Sequence, residues 1–468
     1  MTAGIDPARG NKEISDQARG MFDQLQDQTF GYFVHETNPD NGLVIDKADK
    51  NPKADKNPKA DKNPKADQNR AAGDCPASIA AVGLALSAYP VGVDRGFMER
   101  EEAVERTLKT LRFLWNAPQS KEPDATGYRG FFYHFLDMTS GQRVWQCELS
   151  TIDTTLCLAG VLTAGEYYVR DNEREAEIRD LADRIYRRVD WRWAQNGGAT
   201  VTHGWTPENG FLPYRWEGYS EGLLLYVLGL GSPTYPLDET SYRAFVSTYN
   251  WKTAYGYEFV YAGPLFIHQF AHLWLDLRGL QDAYTREKGI DYFENSRRAT
   301  YVQQQYAQHN PQGFAGHGES FWGITASDGP GPATIKIDGV ERTFYGYIAR
   351  GVPYGPDDGT IAPWVTVASL PFAPEIVVPT IQHYDELDLK ATNPYGYKAT
   401  FNQTFPDTSR HKLGWMSPYH YGINQGPIVL AIENHRSSFV WNLMCSCPCL
   451  AKGLRRAGFR GGWLSDAS

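Results

Sequence analysis

No apolar run in this sequence approaches the ~18–20 residues that a membrane-spanning helix needs. The N-terminus, MTAGIDPARGNKEISDQ, lacks the charged-then-apolar pattern of a secretory leader. The chain as written is therefore expected in the cytoplasm, and in the periplasm only if its start is assigned differently. Basic charge is also short, with a net charge of −9. A nucleic-acid partner needs basic clusters to displace counterions, and an anionic membrane surface needs them too. Neither partner is expected. There are only six cysteines, at 75, 147, 157, 445, 447 and 449, and they suggest no disulfide framework. The last three form C-S-C-P-C, without the C-x2-C pairs or histidine partners of a zinc site. They are read as small buried residues at a helix junction. Dinucleotide and phosphate-cradling glycine motifs are missing, as is the G-x-S-x-G of serine hydrolases.

What the sequence holds in quantity is aromatic side chains, 13% of residues. Aromatics fill cores and also make flat platforms for sugar rings. A neutral, hydroxyl-rich ligand suits an acidic chain of this kind. Hydrophobic periodicity is helical along most of the length. ISDQARGMF and NEREAEIRDL open amphipathic segments, whereas SIAAVGLALSAYPVGV, STIDTTLCLAGVL and YSEGLLLYVLGLG are largely apolar. The first of these apolar segments should end at Pro90, the second should be capped by Ser150, and the third should end at Gly231. FIHQFAHLWLDL, REKGIDYFENSRRATYVQQQYAQHN and GPIVLAIENHRSSFVWNLMCSCP are each predicted as one helix, giving about twelve in all. This alternation predicts an all-α fold of two concentric helical layers. A small β-hairpin is predicted at ATIKIDGVERTFYG. Residues 48–71 repeat ADKNPK three times and close on a degenerate copy. With no apolar position, this stretch is expected to be a disordered insert at about 46–72.

Long connections rich in Gly, Pro and Trp, at 117–149, 194–219, 309–372 and 391–426, are where function is expected. Cleaving a glycosidic bond takes two carboxyl groups, one donating a proton and one activating water or attacking directly. The donor needs a raised pKa. Glu221 falls in the first turn of an apolar helix, just after Tyr214, Arg215 and Trp216. It could equally complement the dipole of a helix capped by Ser220. Glu148 and Asp153 flank Ser150 beside Trp145, where Asp153 could again serve only the helix start. In GFFYHFLDM, Tyr133 and His134 are expected to hold a sugar and Asp137 to be structural. In GFAGHGESFWGITASDGPGP, glycines allow close approach of backbone to ligand. His317, Glu319, Trp322 and Asp328 are the candidate contacts there. Asp357 and Asp358 read as Asx-turn residues. His268 and His272 have the spacing of a metal pair, but no third ligand is evident, and they are read as core histidines. No metal and no cofactor are expected.

Together, SIAAVGLALSAYPVGVDRG, RVWQCELSTIDT, NGFLPYRWEGYSEGLLLYVLGLGSPT, YAGPLFIHQFAHLWLDLRG, GFAGHGESFWGITASDGPG and PYGPDDGTIAPWV resemble the bacterial glycoamylase, or "glucoamylase-like", family, which overlaps glycoside hydrolase family 144. The resemblance implies one (α/α)6 toroid, a six-hairpin barrel, spanning residues 1–468. It also implies inverting cleavage of β-1,2-glucan, with Glu148, Asp153 and Glu221 as the acidic candidates. The ADKNPK insert departs from the family's shorter first loop, and many family hydrolases are exported. The expectation is an endo-β-1,2-glucanase in which Glu221 pairs with Glu148 or Asp153. Tyr133, Trp145, Tyr214, Trp216 and Trp322 would shape the sugar site, with His134, Arg215, Glu319 and Asp328 as polar contacts. Open alternatives are an exo-acting, sophorose-releasing hydrolase, a glucan transglycosylase or phosphorylase, a glucoamylase-like α-glucan hydrolase and a non-catalytic glucan-binding protein. The partner is an oligo- or polysaccharide β-glucan, and the protein is expected to be a monomer.

Overall fold

The computed structural model describes residues 15–49, 75–390 and 393–465. Most of the expected insert therefore lies outside the described residues. Its leading edge, Lys47–Ala48, forms a short strand antiparallel to His420–Tyr421.

The described residues are mostly helical. In chain order the helices are α1 (Asp16–His35), α2 (Ile79–Asp94), α3 (Arg100–Asn116), α4 (Thr151–Tyr167), α5 (Glu173–Arg188), α6 (Trp191–Ala194), α7 (Gly222–Gly231) and α8 (Glu239–Val246). They continue with α9 (Ala283–Lys288), α10 (Tyr292–His309), α11 (Pro363–Ala368), α12 (Pro374–Glu386), α13 (Gly422–Ser437), α14 (Phe439–Cys445) and α15 (Pro448–Arg456). Helix α7 is buried over its whole length, and α2 from Ile79 to Gly92, because they are apolar all round. Helices α3 and α5 bury one stripe and leave the other face charged. Contacts run from α2 to α4, α7, two 3-10 turns (Leu265–His268 and Phe270–Leu273), α11, α13 and back to α2. The amphipathic helices lie outside this circuit, with α5 against α3 and α4, and α12 against α11.

Several boundaries differ from expectation, each for a local reason. Pro90 does not end α2; it lies inside the helix, which runs on for one more turn to Asp94. The segment around His268 and His272 is two 3-10 turns rather than one helix. Gly289, with left-handed φ, separates α9 from α10, and Ser438, also left-handed, separates α13 from α14. Ser150 does cap α4, accepting a hydrogen bond from the Asp153 amide. The hairpin pairs Ala333–Ile337 with Val340–Phe344 around Asp338–Gly339, both with positive φ. The helical expectation holds for the bulk of the regular structure, but short strands are more numerous than the single hairpin expected. Gly127–Tyr128, Phe131–Tyr133, Leu149–Ser150, Gly204–Thr206 and Gly210–Phe211 form a five-stranded antiparallel sheet. Alternating patterns only two or three residues long are too brief to register as strands.

Helices α2 and α4 meet backbone to backbone. A Cβ on Gly160 would come 1.9 Å from the Gly83 carbonyl oxygen, and one on Gly83 would come 2.3 Å from that of Leu156. Gly160→Ala should therefore destabilise the fold by about 1–3 kcal/mol or more in chemical denaturation. Gly20→Ala, in α1 with nothing within 4 Å, should instead stabilise it by up to about 1 kcal/mol.

Candidate active site

The N-terminal ends of the inner elements open onto one cavity of about 510 Å³. Ser78 stands at the N-cap of α2, Asp153 in the first turn of α4 and Glu221 just ahead of α7. Phe266 and Phe270 come from the two 3-10 turns, Trp364 from the start of α11 and Asn424 from the start of α13. The five-stranded sheet forms one wall. His134 follows its second strand, Glu148 precedes its third and His203 precedes its fourth.

His134 stands between two carboxylates. Its Nδ1 is 2.9 Å from Glu148 Oε1, and its Nε2 is 3.7 Å from Asp153 Oδ1. Burial disfavours the imidazolium, but the charges of Asp153 and Glu148 outweigh it and raise the pKa to about 9. Burial would likewise raise Glu148, yet the hydrogen bond and charge of His134 bring it below the ordinary carboxylate range. Asp153 is further held by the Ser150 hydroxyl, which donates to its Oδ2 at 2.5 Å. Glu221 goes the other way. Burial and the nearby charge of Asp153 push it up to about 7, and among the described residues no cation pairs with it. The cavity thus holds a carboxyl group that keeps its proton near neutral pH and another that stays ionised, the division of labour that acid–base hydrolysis needs.

Trp216 lines the cavity, donating its indole N–H to Thr151 Oγ1 at 2.9 Å and stacking on His203 at 4.0 Å. Asp328 lines it too and accepts from Thr400 and Ser417, with burial raising its pKa. The other expected sugar contacts lie off the cavity lining. Tyr133 is fully buried beneath the Arg143 guanidinium. Trp322 is also fully buried, its indole N–H bonded to Thr380. Arg215 braces its own loop through the Gln195 and Thr200 carbonyls. Glu319 is solvent-exposed, with its carbonyl bonded to Gln304. Tyr214 and Trp145 are 68% and 51% exposed, and Phe135, which does line the cavity, touches Trp145. Asp137 closes a turn onto the Thr139 and Ser140 amides, as its reading as structural has it. His268 and His272 are buried against Asn295 and Ser296, as core histidines.

Asp46, His203, Tyr347, Trp364, Tyr421 and Asn424 were not foreseen. Asp46 hides at the edge of the repeat, and the others carry no charge or spacing that marks them out within their loops. Tyr347 is 72% exposed while lining the cavity, so it stands up into open space rather than packing into the wall. His134, Glu148 and Asp153 also bring three potential ligand atoms within 4.8 Å of one another, so a cation could be held there. A ligating imidazole must be neutral, so a cation there would compete with the proton that the two carboxylates favour on His134.

Residues 213–448 match the family model Glycoamylase, described as "Putative glucoamylase". An exo beta-1,2-glucooligosaccharide sophorohydrolase of Parabacteroides distasonis is 26% identical over 93% of the chain. The chain spans only 57% of that relative's length. Among solved structures, one described as a "putative glucoamylase" from Bacteroides uniformis is 30% identical, with a TM-score of 0.79 over 97% of this chain and 100% of that one. An endo-beta-1,2-glucanase from Chitinophaga pinensis, in complex with sophorotriose and glucose, is 26% identical, with a TM-score of 0.79 over 96% and 100%. A match over half of the sequence, with likeness to solved members along nearly all of it, means that the chain belongs to the glycoamylase family.

Proposed function

We propose that the protein is an inverting glycoside hydrolase of β-1,2-linked glucan, with Glu221 as proton donor and Glu148 as the base. The observation that carries this reading is one cavity in which His134 hydrogen-bonds Glu148 at 2.9 Å while Glu221, on the same lining, has no cation partner among the described residues. Glu221 would protonate the departing glycosidic oxygen. Glu148 would take the proton of a water attacking the anomeric carbon from the other face. His134 and Asp153 would keep Glu148 ionised and aimed, and Trp216 and Phe135 would shape the sugar site. The circuit of inner elements supports a single (α/α)6 toroid with its site at the helix N-termini.

On mode of attack, we infer release of the disaccharide sophorose from chain ends, the activity named for the P. distasonis relative, rather than the endo cleavage that the sequence suggests. The C. pinensis relative favours endo cleavage as the second reading. Incubation with β-1,2-glucan separates them. Sophorose should accumulate from the first minutes while polymer length changes little, and early mixed oligosaccharides would establish endo attack. Release of glucose from starch, with no action on β-1,2-glucan, would overturn the substrate assignment.

Glu221 also links activity to stability. A carboxyl raised to about 7 in the folded state still holds a proton that the unfolded chain has lost above its ordinary value of ~4.3. Its contribution therefore destabilises the fold progressively as pH climbs from ~4.3 to about 7. Glu221→Gln should melt higher than the parent at pH 8 while losing roughly 10²–10⁴-fold in kcat. A variant that melts lower, or that keeps its turnover, would refute the assignment. For the parent, kcat/KM should fall as pH rises through about 7, when Glu221 loses its proton. The acid limb should lie below the ordinary carboxylate range, where Glu148 titrates.

A further inference from the structure

We propose that Trp145 is an outer glucosyl subsite, a stacking platform for a sugar unit beyond the cavity, and that the Arg143–Glu208 pair holds it in place. This rests on the reading of the protein as a β-1,2-glucan hydrolase. Trp145 and Gln146 both have left-handed φ, 56° and 50°. Two consecutive non-glycine residues rarely adopt this conformation unless the surroundings enforce it. Arg143 does the enforcing. Its side chain is only 2% exposed. Nη2 donates to the Gln146 carbonyl at 2.7 Å, and Nε donates to that of Cys147 at 2.6 Å. The same guanidinium grips Glu208 with both Nη groups, at 2.8 and 3.1 Å, and lies over the Tyr133 ring.

Such a clamp would be an odd outlay for a plain surface turn. What it does is turn one short segment two ways. Glu148 is delivered to His134 inside the cavity, while the Trp145 indole is left half in solvent at the rim. The two are joined by a continuous aromatic step. Trp145 meets Phe135 at 5.2 Å, and Phe135 stacks on His134 at 3.9 Å with their planes 12° apart. A glucan bound across His134 and Phe135 that extends past the rim therefore meets the indole next. Indole faces stack well on the apolar faces of sugar rings.

The test is a chain-length series of β-1,2-gluco-oligosaccharides cleaved by the parent and by Trp145→Ala, Trp145→Phe and Glu208→Gln. Trp145→Ala should raise KM about tenfold for the longer chains, with kcat and the shortest cleaved substrate unchanged. Trp145→Phe should restore most of the loss. Glu208→Gln, which weakens the clamp from its solvent side, should show a smaller length-dependent rise in KM together with a fall in kcat at every length, because the same clamp places Glu148. A length-independent loss, or none, in Trp145→Ala would overturn the subsite while leaving the hydrolase reading intact. An unchanged Glu208→Gln would remove the clamp from the account. A parent that cleaves no member of the series would bring down the hydrolase reading and the subsite with it.

Discussion

The convergence of the inner elements' N-termini on one cavity is the constraint from which the rest follows. Helices buried nearly all round must be surrounded, so the apolar α2, α4 and α7, and α13 with its buried Gln425, Glu433 and Asn434, are enclosed by their neighbours and offer mainly their ends to solvent. Those ends carry unsatisfied amides and the positive pole of each helix. Left to that field alone, every carboxylate at the cavity would be held ionised. Glu221 escapes because burial and Asp153 act against it, and among the described residues no cation pairs with it to compensate. Glu148 does not escape, because His134 sits 2.9 Å away. On the proposed reading, one histidine, hydrogen-bonded to Glu148 and facing Asp153, is what separates donor from base.

The walls of this cavity are loops, and loops need holding. Where a helix supplies its own hydrogen bonds, these segments rely on buried arginines. Arg350 and Asp358 are both fully buried and joined by a bidentate pair at 2.8 Å. Arg350 also donates to the carbonyls of Ser327, Tyr345 and Gly346. It thereby ties together the strand ends from which Asp328 and Tyr347 reach the cavity. Removing one partner of such a pair would strand a buried charge, a loss of about 3–5 kcal/mol. Arginine suits the task because its planar fork reaches a carboxylate and several carbonyls at once.

How much of this was legible in the sequence follows from the same physics. Glu148, Asp153 and Glu221 could be picked out because each stands at the start of an apolar segment, and such a segment can present only its end. Ser150 as a cap, the Asp338–Gly339 hairpin and the buried His268–His272 pair rest on equally local rules. Tyr133, Trp322 and Arg215 show the limit. An aromatic or an arginine in a glycine-rich motif looks the same whether it faces a ligand or the core, and only the neighbours decide. Thr380 claims the Trp322 indole, and the Gln195 and Thr200 carbonyls claim Arg215, from partners 58, 20 and 15 residues away in sequence. Asp46 and Tyr421 were illegible for the converse reason, since a strand pairing only Lys47–Ala48 with His420–Tyr421 leaves no pattern. Asp358, read as a turn residue, does accept from the Thr360 amide, but its partner Arg350 gave no local sign.

The charge of the cavity narrows what it can accept. Asp46, Glu148, Asp153, Glu221 and Asp328 line it together, and among the described lining residues there is neither lysine nor arginine. An inorganic phosphate or a phosphorylated sugar would enter against several carboxylates with one imidazolium to offset them. That weighs against phosphorolysis on this scaffold, which must bring a phosphate to the anomeric carbon. A neutral glucan meets no such barrier. Each ionised carboxylate accepts hydrogen bonds from sugar hydroxyls without needing a counter-charge. Water, the co-reactant that hydrolysis requires, is uncharged as well. An acidic cavity of this kind is therefore matched to a neutral polyol and a neutral nucleophile, and on the proposed reading Glu221 supplies the single proton the reaction needs.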